Sequence, residues 1–284
     1  MYFLHNTIIA LLAYFIDKKF GEFSFIKHPV IVIGELISFM EKWLYKKSVF
    51  RGFLLVLFVL GIVTIFAISI ELYLNLFLPE AINILISAFI ASLFIAHKML
   101  RDSVLEVVHA TDKRKAVANL VSRDTKDLSQ SDIYKAAIES YAENLSDGVV
   151  APIFYLILFG LPGIIIYKTI NTMDSMLGYT NEKYEKFGKV AARLDDIANF
   201  IPSRLTALLI MLVAREKKPF AFYKDGKKHD SPNAGHPITA MAIALDLTLG
   251  GDTSYFGKIK KKAKFGTGKE NIEAADVERA LALL

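Results

Sequence analysis

Three carboxylates follow one another at four-residue intervals near the middle of the chain. Glu139, Glu143 and Asp147 share one face if this stretch is helical. Like charges so placed repel by about 0.2–0.5 kcal/mol, unless a cation lies between them. Oxygen ligands favour Mg²⁺ over zinc. The spacing therefore indicates either a Mg²⁺ site or a solvated helix face paired with Lys135 or Arg123.

Two further polar stretches adjoin apolar segments. Asn171 and Asp174 are three residues apart, which is typical of a helix cap but also places them on one helix face. The pair Asp195-Asp196 lies between Arg193 and Arg204, at the start of an apolar segment. Ionisable residues at membrane depth are costly and usually face the protein interior or a cavity.

The Arg204 side chain has two possible roles. Its guanidinium can bind phosphate bidentately, or it can extend to the membrane interface. The sequence contains no Walker A loop, dinucleotide fingerprint or nucleophile elbow. A bound nucleotide must therefore be held by a less familiar arrangement.

Three more polar motifs lie in predicted loops. Arg123-Asp124-Thr125 forms a charged pair of a kind that is more often structural than catalytic. His28-Pro29 and the stretch 231–237, which contains Asn233 and His236, have the proline and glycine content of turns. Their histidines could act as ligands or acid–base groups, although lone loop histidines usually do neither.

Apolar residues are clustered along the chain, which is 284 residues long, 54% hydrophobic and 22% charged. Since about 20 apolar residues span a bilayer, we predict an all-α, multi-pass membrane protein. It is expected to form a single integral membrane domain with four to five membrane segments, some short or broken. These segments lie near residues 1–16, 53–78, 81–98, 149–167 and 198–214. The polar, largely helical loops between and after them are 99–148, 168–197 and 215–284.

Charge distribution predicts the orientation. Residues 17–51 carry seven Lys and Arg and residues 71–80 carry none, so the positive-inside rule places the first loop and the loop from His97 in the cytoplasm. The fourth segment is interrupted by Pro152 and by the stretch 160–163. Such backbone is tolerated only where protein or a water-filled cavity covers it. We therefore predict a re-entrant or broken element, which cysteine labelling at Lys183 from each side would test.

Cysteine content and net charge further restrict the kinds of chemistry and partner that are expected. The chain has no cysteine, which excludes disulfides and thiol chemistry. Its net charge of +5 carries no basic stripe interleaved with aromatics, so nucleic acid is not an expected partner. Within the long loop we predict a helical stretch over 102–120 and a helix from Asp132 towards Asn144, capped by Ser129 or Ser131. The tail lysines over 258–264 are predicted to be solvated or to touch anionic lipid.

Read in order, the polar motifs resemble those of the CobD/CbiB family of adenosylcobinamide-phosphate synthases, from about residue 17 to about residue 255. The motifs that carry the resemblance are His28-Pro29-Val30 with Gly34, Arg123-Asp124-Thr125, Glu139-Ser140, Ala142-Glu143-Asn144, Asp147-Gly148-Val149-Val150-Ala151-Pro152, Tyr167, Asn171-Thr172, Asp174-Ser175-Met176, Gly178-Tyr179, Phe187-Gly188, Ala192-Arg193-Leu194-Asp195-Asp196, Ala198-Asn199, Ile201-Pro202, Arg204-Leu205 and Ser231-Pro232-Asn233-Ala234-Gly235-His236-Pro237.

The resemblance implies an activity. Members of this family join adenosylcobyric acid to an aminopropanol phosphate, or a related amino-alcohol phosphate, through an amide bond driven by ATP and Mg²⁺. The resemblance also implies a prokaryotic cytoplasmic membrane location, cytoplasmic catalytic loops, a corrinoid substrate and contact with other late cobalamin-pathway membrane enzymes.

The same resemblance suggests roles for individual residues. The expected metal ligands are Glu139, Glu143, Asp147 and Asp174. The expected catalytic residues, among which Asp195, Asp196 or His236 would take the amine proton, are Asp195, Asp196, His236 and Asn144. The expected substrate- and phosphate-binding residues are Arg123, Asp124, Thr125, Arg193, Arg204, Asn171, Asn233 and His28.

Two departures and two rival functions accompany the resemblance. The chain has Ser122 where the family commonly has glycine, and its C-terminal apolar stretch is short. A non-catalytic membrane protein similar to the AmpE signalling family, or a corrin-binding protein, is the main alternative. A transporter is a second alternative, but no inverted repeat is visible and the polar motifs lie at segment ends rather than at the midplane.

Overall fold

A computed structural model describes residues 2–23, 25–179, 181–255 and 257–283. About 70% of the chain is helical, as the sequence predicts. The first six helices are α1 (Tyr2–Phe20), α2 (Pro29–Leu44), α3 (Val49–Phe77), α4 (Glu80–Ser92), α5 (His97–His109) and α6 (Lys113–Ala118). The others are α7 (Gln130–Leu145), a π-helical turn (Ser146–Val150), α8 (Ala151–Leu177), α9 (Lys189–Ala198), α10 (Phe200–Val213), α11 (Phe222–Gly226), α12 (Gly235–Leu245) and α13 (Ala274–Leu283).

The chain forms two compact units, each assembled from two separate stretches. Unit 1 comprises Met1–Lys98 and Ala151–Asn199, and unit 2 comprises Met99–Val150 and Phe200–Leu284. In unit 1, α8 is central and packs against α1, α2, α3, α4 and α9. In unit 2, α12 packs against α7, α10 and α11. The sequence did not indicate this grouping, because each unit joins segments that are far apart along the chain.

Three of the described helices are long and apolar enough to cross a membrane. They are Val49–Phe77, the continuous stretch Glu80–His109 and the stretch Gln130–Leu177, and the pair Lys189–Ala198 and Phe200–Val213 would give a fourth span. Only 28% of the most apolar stretch of α3 is buried inside the protein. The rest of its surface is suited to contact with lipid. The predicted first segment corresponds to α1, which is not among these candidates.

The predicted interruption of the fourth segment is confirmed within α8. Gly160 has φ 66° and ψ −156°, and Pro162 follows inside the helix. The backbone groups freed by this break find partners on other helices of unit 1. The buried Asn6 amide donates to the Ile157 carbonyl at 3.2 Å, and the Leu161 amide donates to the Glu71 carboxylate. These contacts satisfy polar groups that would otherwise be unpaired in an apolar surrounding.

Replacing Gly160 with alanine is expected to destabilise the protein. A Cβ there would lie 2.1 Å from Glu71 Oε1, and this backbone region costs other residues about 1–3 kcal/mol. Thermal unfolding in detergent should show a clearly lowered midpoint. The matched control is Gly61→Ala in α3, where a Cβ meets nothing within 4 Å. An equal loss in both variants would refute the role given to the break.

Unit 2 contains the long polar loop and the tail. The helix predicted from Asp132 is confirmed as α7, and its N-cap is Ser129, whose side chain accepts from the Asp132 amide. The stretch 102–120 is helical but interrupted, because Asp112 caps α6. The described residues of the tail include four short strands, β1 (Leu249–Gly250), β2 (Thr253–Tyr255), β3 (Lys258–Lys260) and β4 (Lys264–Phe265). They form two antiparallel pairs, β1 with β4 and β2 with β3.

Candidate functional site

A buried carboxylate lies at the centre of the polar network of unit 1. Asp195 on α9 is 9% exposed. Its Oδ1 accepts from the Asn171 amide at 3.3 Å and its Oδ2 from the Asn199 amide at 3.0 Å. Asn199 Oδ1 in turn accepts from the Tyr167 hydroxyl at 2.7 Å. The structure therefore brings predicted residues Asp195 and Asn171 together and adds Asn199 and Tyr167.

The opposite face of α9 borders an open cavity of about 690 Å³ in unit 1. Arg193 and Asp196 both line it, and their side chains pair at 3.6 Å. Since a helix turns 100° per residue, Asp195 and Asp196 point to different surroundings. Asp195 is enclosed by amides, whereas Asp196 is accessible to a small molecule in the cavity.

Two other predicted residues of unit 1 lie at helix ends. A Cβ on Gly178, which lines the cavity, would lie 2.0 Å from Asp174 Oδ1. The Asp174 carboxylate therefore covers Gly178 at the cavity wall. His28 is the N-cap of α2, where its Nδ1 accepts from the Val30 amide. Burial lowers the pKa of His28.

Glu139 is clamped inside unit 2. It is 6% exposed on α7; its Oε2 accepts from Arg123, and its Oε1 accepts from the Gly250 amide at 2.6 Å. Gly250 has φ +75°, and a Cβ there would lie 2.3 Å from the Ala263 carbonyl oxygen. The sequence left open whether the carboxylates on this helix face pair with Lys135 or with Arg123. The structure pairs Glu139 with Arg123.

The residues after Arg123 fasten the β2–β3 hairpin. Asp124 Oδ2 accepts from the Ser254 hydroxyl at 2.6 Å and from the Gly257 amide at 2.8 Å. The Asp124 amide donates to the Ser254 carbonyl at 2.9 Å. The carbonyl of the third motif residue, Thr125, accepts from the Leu128 amide in a local turn. The motif therefore has a clear structural role in unit 2.

The other predicted acidic residues of unit 2 are more accessible. Glu143 and Asp147 are half-buried, and Asn144 is exposed, with its amide donating to the Ser140 carbonyl at 2.9 Å. Within residues 2–23, 25–179, 181–255 and 257–283, no group of three His, Asp or Glu side chains is placed to hold a metal ion by itself. Mg²⁺ usually needs only one or two carboxylates besides water and substrate phosphate.

Arg204 joins α10 to the turn before α12. Its Nη1 donates to the Phe200 carbonyl, Ser203 Oγ and Asn233 Oδ1 at 2.8–3.1 Å, and its Nη2 donates to the Pro232 carbonyl at 3.1 Å. The guanidinium also covers the Phe200 ring at 3.7 Å. These contacts hold Arg204 and Asn233 together, as members of one polar cluster.

His236 at the start of α12 is completely buried. Its ring stacks on Tyr223 and meets Phe222 edge-on, at centroid distances of 5.5 and 5.9 Å. Neither ring nitrogen has a hydrogen-bond partner among the described residues. Burial, reinforced by the positive charges of Arg204 and Lys227, lowers the pKa of His236 to about 4.

This pKa predicts acid sensitivity. The folded state holds His236 neutral, whereas the unfolded chain binds a proton near pH 6.5, so stability is lost as the pH falls from about 6.5 to about 4. The contribution of this group is about 1.4 kcal/mol per pH unit. His236→Phe should flatten that slope, measured as the thermal midpoint against pH. An unchanged slope would contradict the assignment; burial also lowers the pKa of His229, so some slope remains.

Sequence reasoning gave no role to several cavity residues. Lys186, Lys189 and Tyr184 line the cavity together with Arg193, and so does Tyr179, which the sequence analysis named only as part of a motif. One signal was available, because the loop over 168–196 carries five Lys and Arg. That charge was interpreted only as evidence about membrane orientation.

Fold and site together define a multi-pass α-helical membrane protein with polar clusters at the ends of its helices. The family whose model matches the chain is described as "CobD/Cbib protein", and the match covers residues 10–284. The chain therefore belongs to the CobD/CbiB family.

Curated relatives match along nearly the whole chain. "Cobalamin biosynthesis protein CobD" of Halalkalibacterium halodurans is 35% identical, over 98% of this chain and 92% of the relative. The protein of the same name from Clostridium perfringens is 37% identical, over 98% and 93%. "Probable cobalamin biosynthesis protein CobD" of Methanocaldococcus jannaschii is 38% identical, over 94% and 91%. No solved structure matches the chain.

Proposed function

We propose that the protein is a membrane enzyme of cobalamin biosynthesis that joins adenosylcobyric acid to an aminopropanol phosphate, or a related amino-alcohol phosphate, using ATP. The observation that carries this proposal is the match to the family over residues 10–284. Its relatives, in both bacteria and archaea, are named for cobalamin biosynthesis. The product would be adenosylcobinamide phosphate.

The proposed reaction has two steps. A carboxylate resists attack by an amine because it is a poor electrophile. Transfer of the γ-phosphoryl group of ATP to an oxygen of the corrin propionate gives an acyl phosphate and ADP. The amine then attacks the acyl carbon, inorganic phosphate leaves with its electron pair, and the nitrogen loses a proton. Cationic groups stabilise the phosphate charge in both steps.

The geometry of unit 1 supports particular roles in this scheme. Arg193 lines the cavity and suits the phosphate role expected of it. Of the three proposed proton acceptors, Asp196 alone lines that cavity, whereas Asp195 is held by two amides and His236 is completely buried. We therefore propose Asp196 as the acceptor and Asp195 as a positioning residue for α8 and α9.

Mg²⁺ remains part of the proposal. When bound, it would neutralise phosphate charge during phosphoryl transfer. Asp174, which lies against Gly178 of the cavity wall, and Glu143 with Asp147 in unit 2 have carboxylates of the type that binds such a metal. Glu139 is not assigned to the metal, because its oxygens accept hydrogen bonds from Arg123 and from the Gly250 amide.

The location of the enzyme in the cell is also part of the proposal. Its apolar helices and its prokaryotic relatives support a place in the cytoplasmic membrane, with the polar loops in the cytoplasm. The corrinoid and the amino-alcohol phosphate are its proposed substrates, and other late enzymes of the pathway are proposed neighbours.

A coupled assay on purified protein in detergent tests the proposal. The mixture contains adenosylcobyric acid, aminopropanol phosphate or threonine phosphate, ATP and Mg²⁺, with mass detection of the amide. We expect product from the wild type and loss of product in Glu143→Gln. Folded protein that binds the corrinoid but forms no amide with either amine would favour the AmpE-like or corrin-binding alternative.

A further inference from the structure

The cavity of unit 1 has the dimensions of a small-molecule site. Its volume of about 690 Å³ lies within the usual range for ligand pockets, roughly 300–1,000 Å³. Its wall is formed by the first residue of α3, Val49, by the connection between α8 and α9, and by α9 itself. Gly178 and Gly188 pack tightly against other atoms of the protein at this wall, since Cβ atoms there would lie 2.0 and 1.7 Å from Asp174 Oδ1 and the Leu177 carbonyl oxygen.

The wall carries three cationic side chains, Lys186, Lys189 and Arg193, and two carboxylates, Glu185 and Asp196, so its formal charge is positive. Arg193 is balanced by Asp196 at 3.6 Å. By contrast, Lys186 and Lys189 are exposed, and the described residues provide neither with an ion pair or a hydrogen bond. The neighbouring Lys183 is neutralised by Glu41 at 2.8 Å. The two lysine ammonium groups are therefore available to an anion, and phosphate is an anion that lysine commonly binds.

Two aromatic rings lie beside these cations. Tyr179 and Tyr184 both line the cavity, with ring centroids 6.4 Å apart and planes inclined by 40°. Tyr179 is 52% exposed. An accessible tyrosine face is a suitable surface for a nucleobase, because stacking on aromatic rings does not depend on a particular hydrogen-bond pattern. Cations and rings together match a phosphorylated ligand that also has a planar aromatic group.

We propose that this cavity binds a nucleoside triphosphate, with Lys186 and Lys189 on its phosphates and Tyr179 against its base. This inference rests on the proposed function and assigns the nucleotide of that reaction to unit 1. Asp174, which covers Gly178 at the wall, supplies a carboxylate of the kind that a magnesium–nucleotide complex uses. Arg193 and Asp196 then border the phosphate end of the ligand.

Binding of a non-hydrolysable ATP analogue tests the site directly. The full chain in detergent is titrated with the analogue and Mg²⁺ by calorimetry, as wild type, Lys186→Gln/Lys189→Gln and Tyr179→Ala. Loss of two charge-assisted contacts should raise the Kd at least about tenfold in the double variant. The matched control is Lys258→Gln/Lys261→Gln, which removes two exposed lysines of the tail and should leave the Kd within about twofold. Thermal midpoints confirm that all variants fold.

A parallel titration with aminopropanol phosphate alone shows whether the cavity lysines bind the phosphate of the amine substrate instead of the phosphates of the nucleotide. We expect its affinity to be unchanged by Lys186→Gln/Lys189→Gln. Loss of aminopropanol phosphate binding with retained analogue binding would overturn the inference. If the wild type forms the amide while the double variant binds the analogue normally, the inference is wrong and the proposed function stands. If the cavity variants weaken nucleotide binding but the wild type forms no amide, the site stands and the ligase proposal fails.

Discussion

Replacing Glu139 with alanine is expected to destabilise unit 2 by about 3–5 kcal/mol, because it leaves a largely buried Arg123 without its partner. The Arg123 side chain is 14% exposed and that of Glu139 is 8% exposed. The variant also leaves the Gly250 amide without its acceptor. Unfolding in detergent, followed by circular dichroism, should therefore show the largest loss of stability of any single carboxylate of unit 2.

A double variant distinguishes the effect of an unpaired charge from the effect of lost side-chain packing. In the double variant Glu139→Ala/Arg123→Ala no uncompensated charge is left, so part of the stability should return. The matched control is Glu270→Ala, which breaks an exposed pair with Lys264 and should cost less than about 1 kcal/mol.

The same variants decide between the two interpretations of Glu139. An ion-paired Glu139 makes the loss independent of Mg²⁺. If chelation of Mg²⁺ destabilised the wild type and not Glu139→Ala, the metal interpretation would be restored. A loss no larger than that of Glu270→Ala would also contradict the account.

Asp196→Asn is expected to lower kcat for amide formation by about 10²–10⁴-fold, the usual contribution of a positioned proton acceptor. The substitution keeps the shape of the side chain but removes the charge that lies beside Arg193 in the cavity. Since Lys186 and Lys189 are unaffected, the KM for ATP should change only a few-fold. Rates measured as a function of pH should also lose the acidic limb, which protonation of the Asp196 carboxylate causes in the wild type.

The control is Asp225→Asn on α11. Asp225 forms an ion pair with Lys228 at the same i, i+3 spacing as Arg193 and Asp196, but it belongs to unit 2 and lies outside the cavity. Its activity should stay close to that of the wild type. Normal kcat in Asp196→Asn would transfer the proton-acceptor role to another group.

Local sequence signals predicted much of the fold. Ser129 capped the predicted helix from Asp132, and the glycine–proline stretch marked the break at Gly160. Each of these depends on a few adjacent residues, so a single sequence contains the necessary information. The short strands of the tail were missed, since strands of two or three residues have no measurable alternation.

The candidate site could be predicted only in part. The pairing of Asn171 with Asp195 spans 24 residues, and the contact from Gly250 to Glu139 spans 111. No short sequence pattern indicates such long-range contacts, and the left-handed backbone conformation of Gly250 is known only from the structure. The motifs therefore identified polar residues correctly as a group, but not whether each one binds a ligand or holds the protein together.

Transfer of an oxygen isotope from the corrin carboxylate to phosphate would show that ATP activates this carboxylate for amide formation. Adenosylcobyric acid labelled with ¹⁸O in the reacting carboxyl group is incubated with the purified protein, aminopropanol phosphate, ATP and Mg²⁺. We expect the amide and ADP to form, with one labelled oxygen in the inorganic phosphate released. Absence of the amide, or an amide formed without any transfer of label to phosphate, would contradict this expectation.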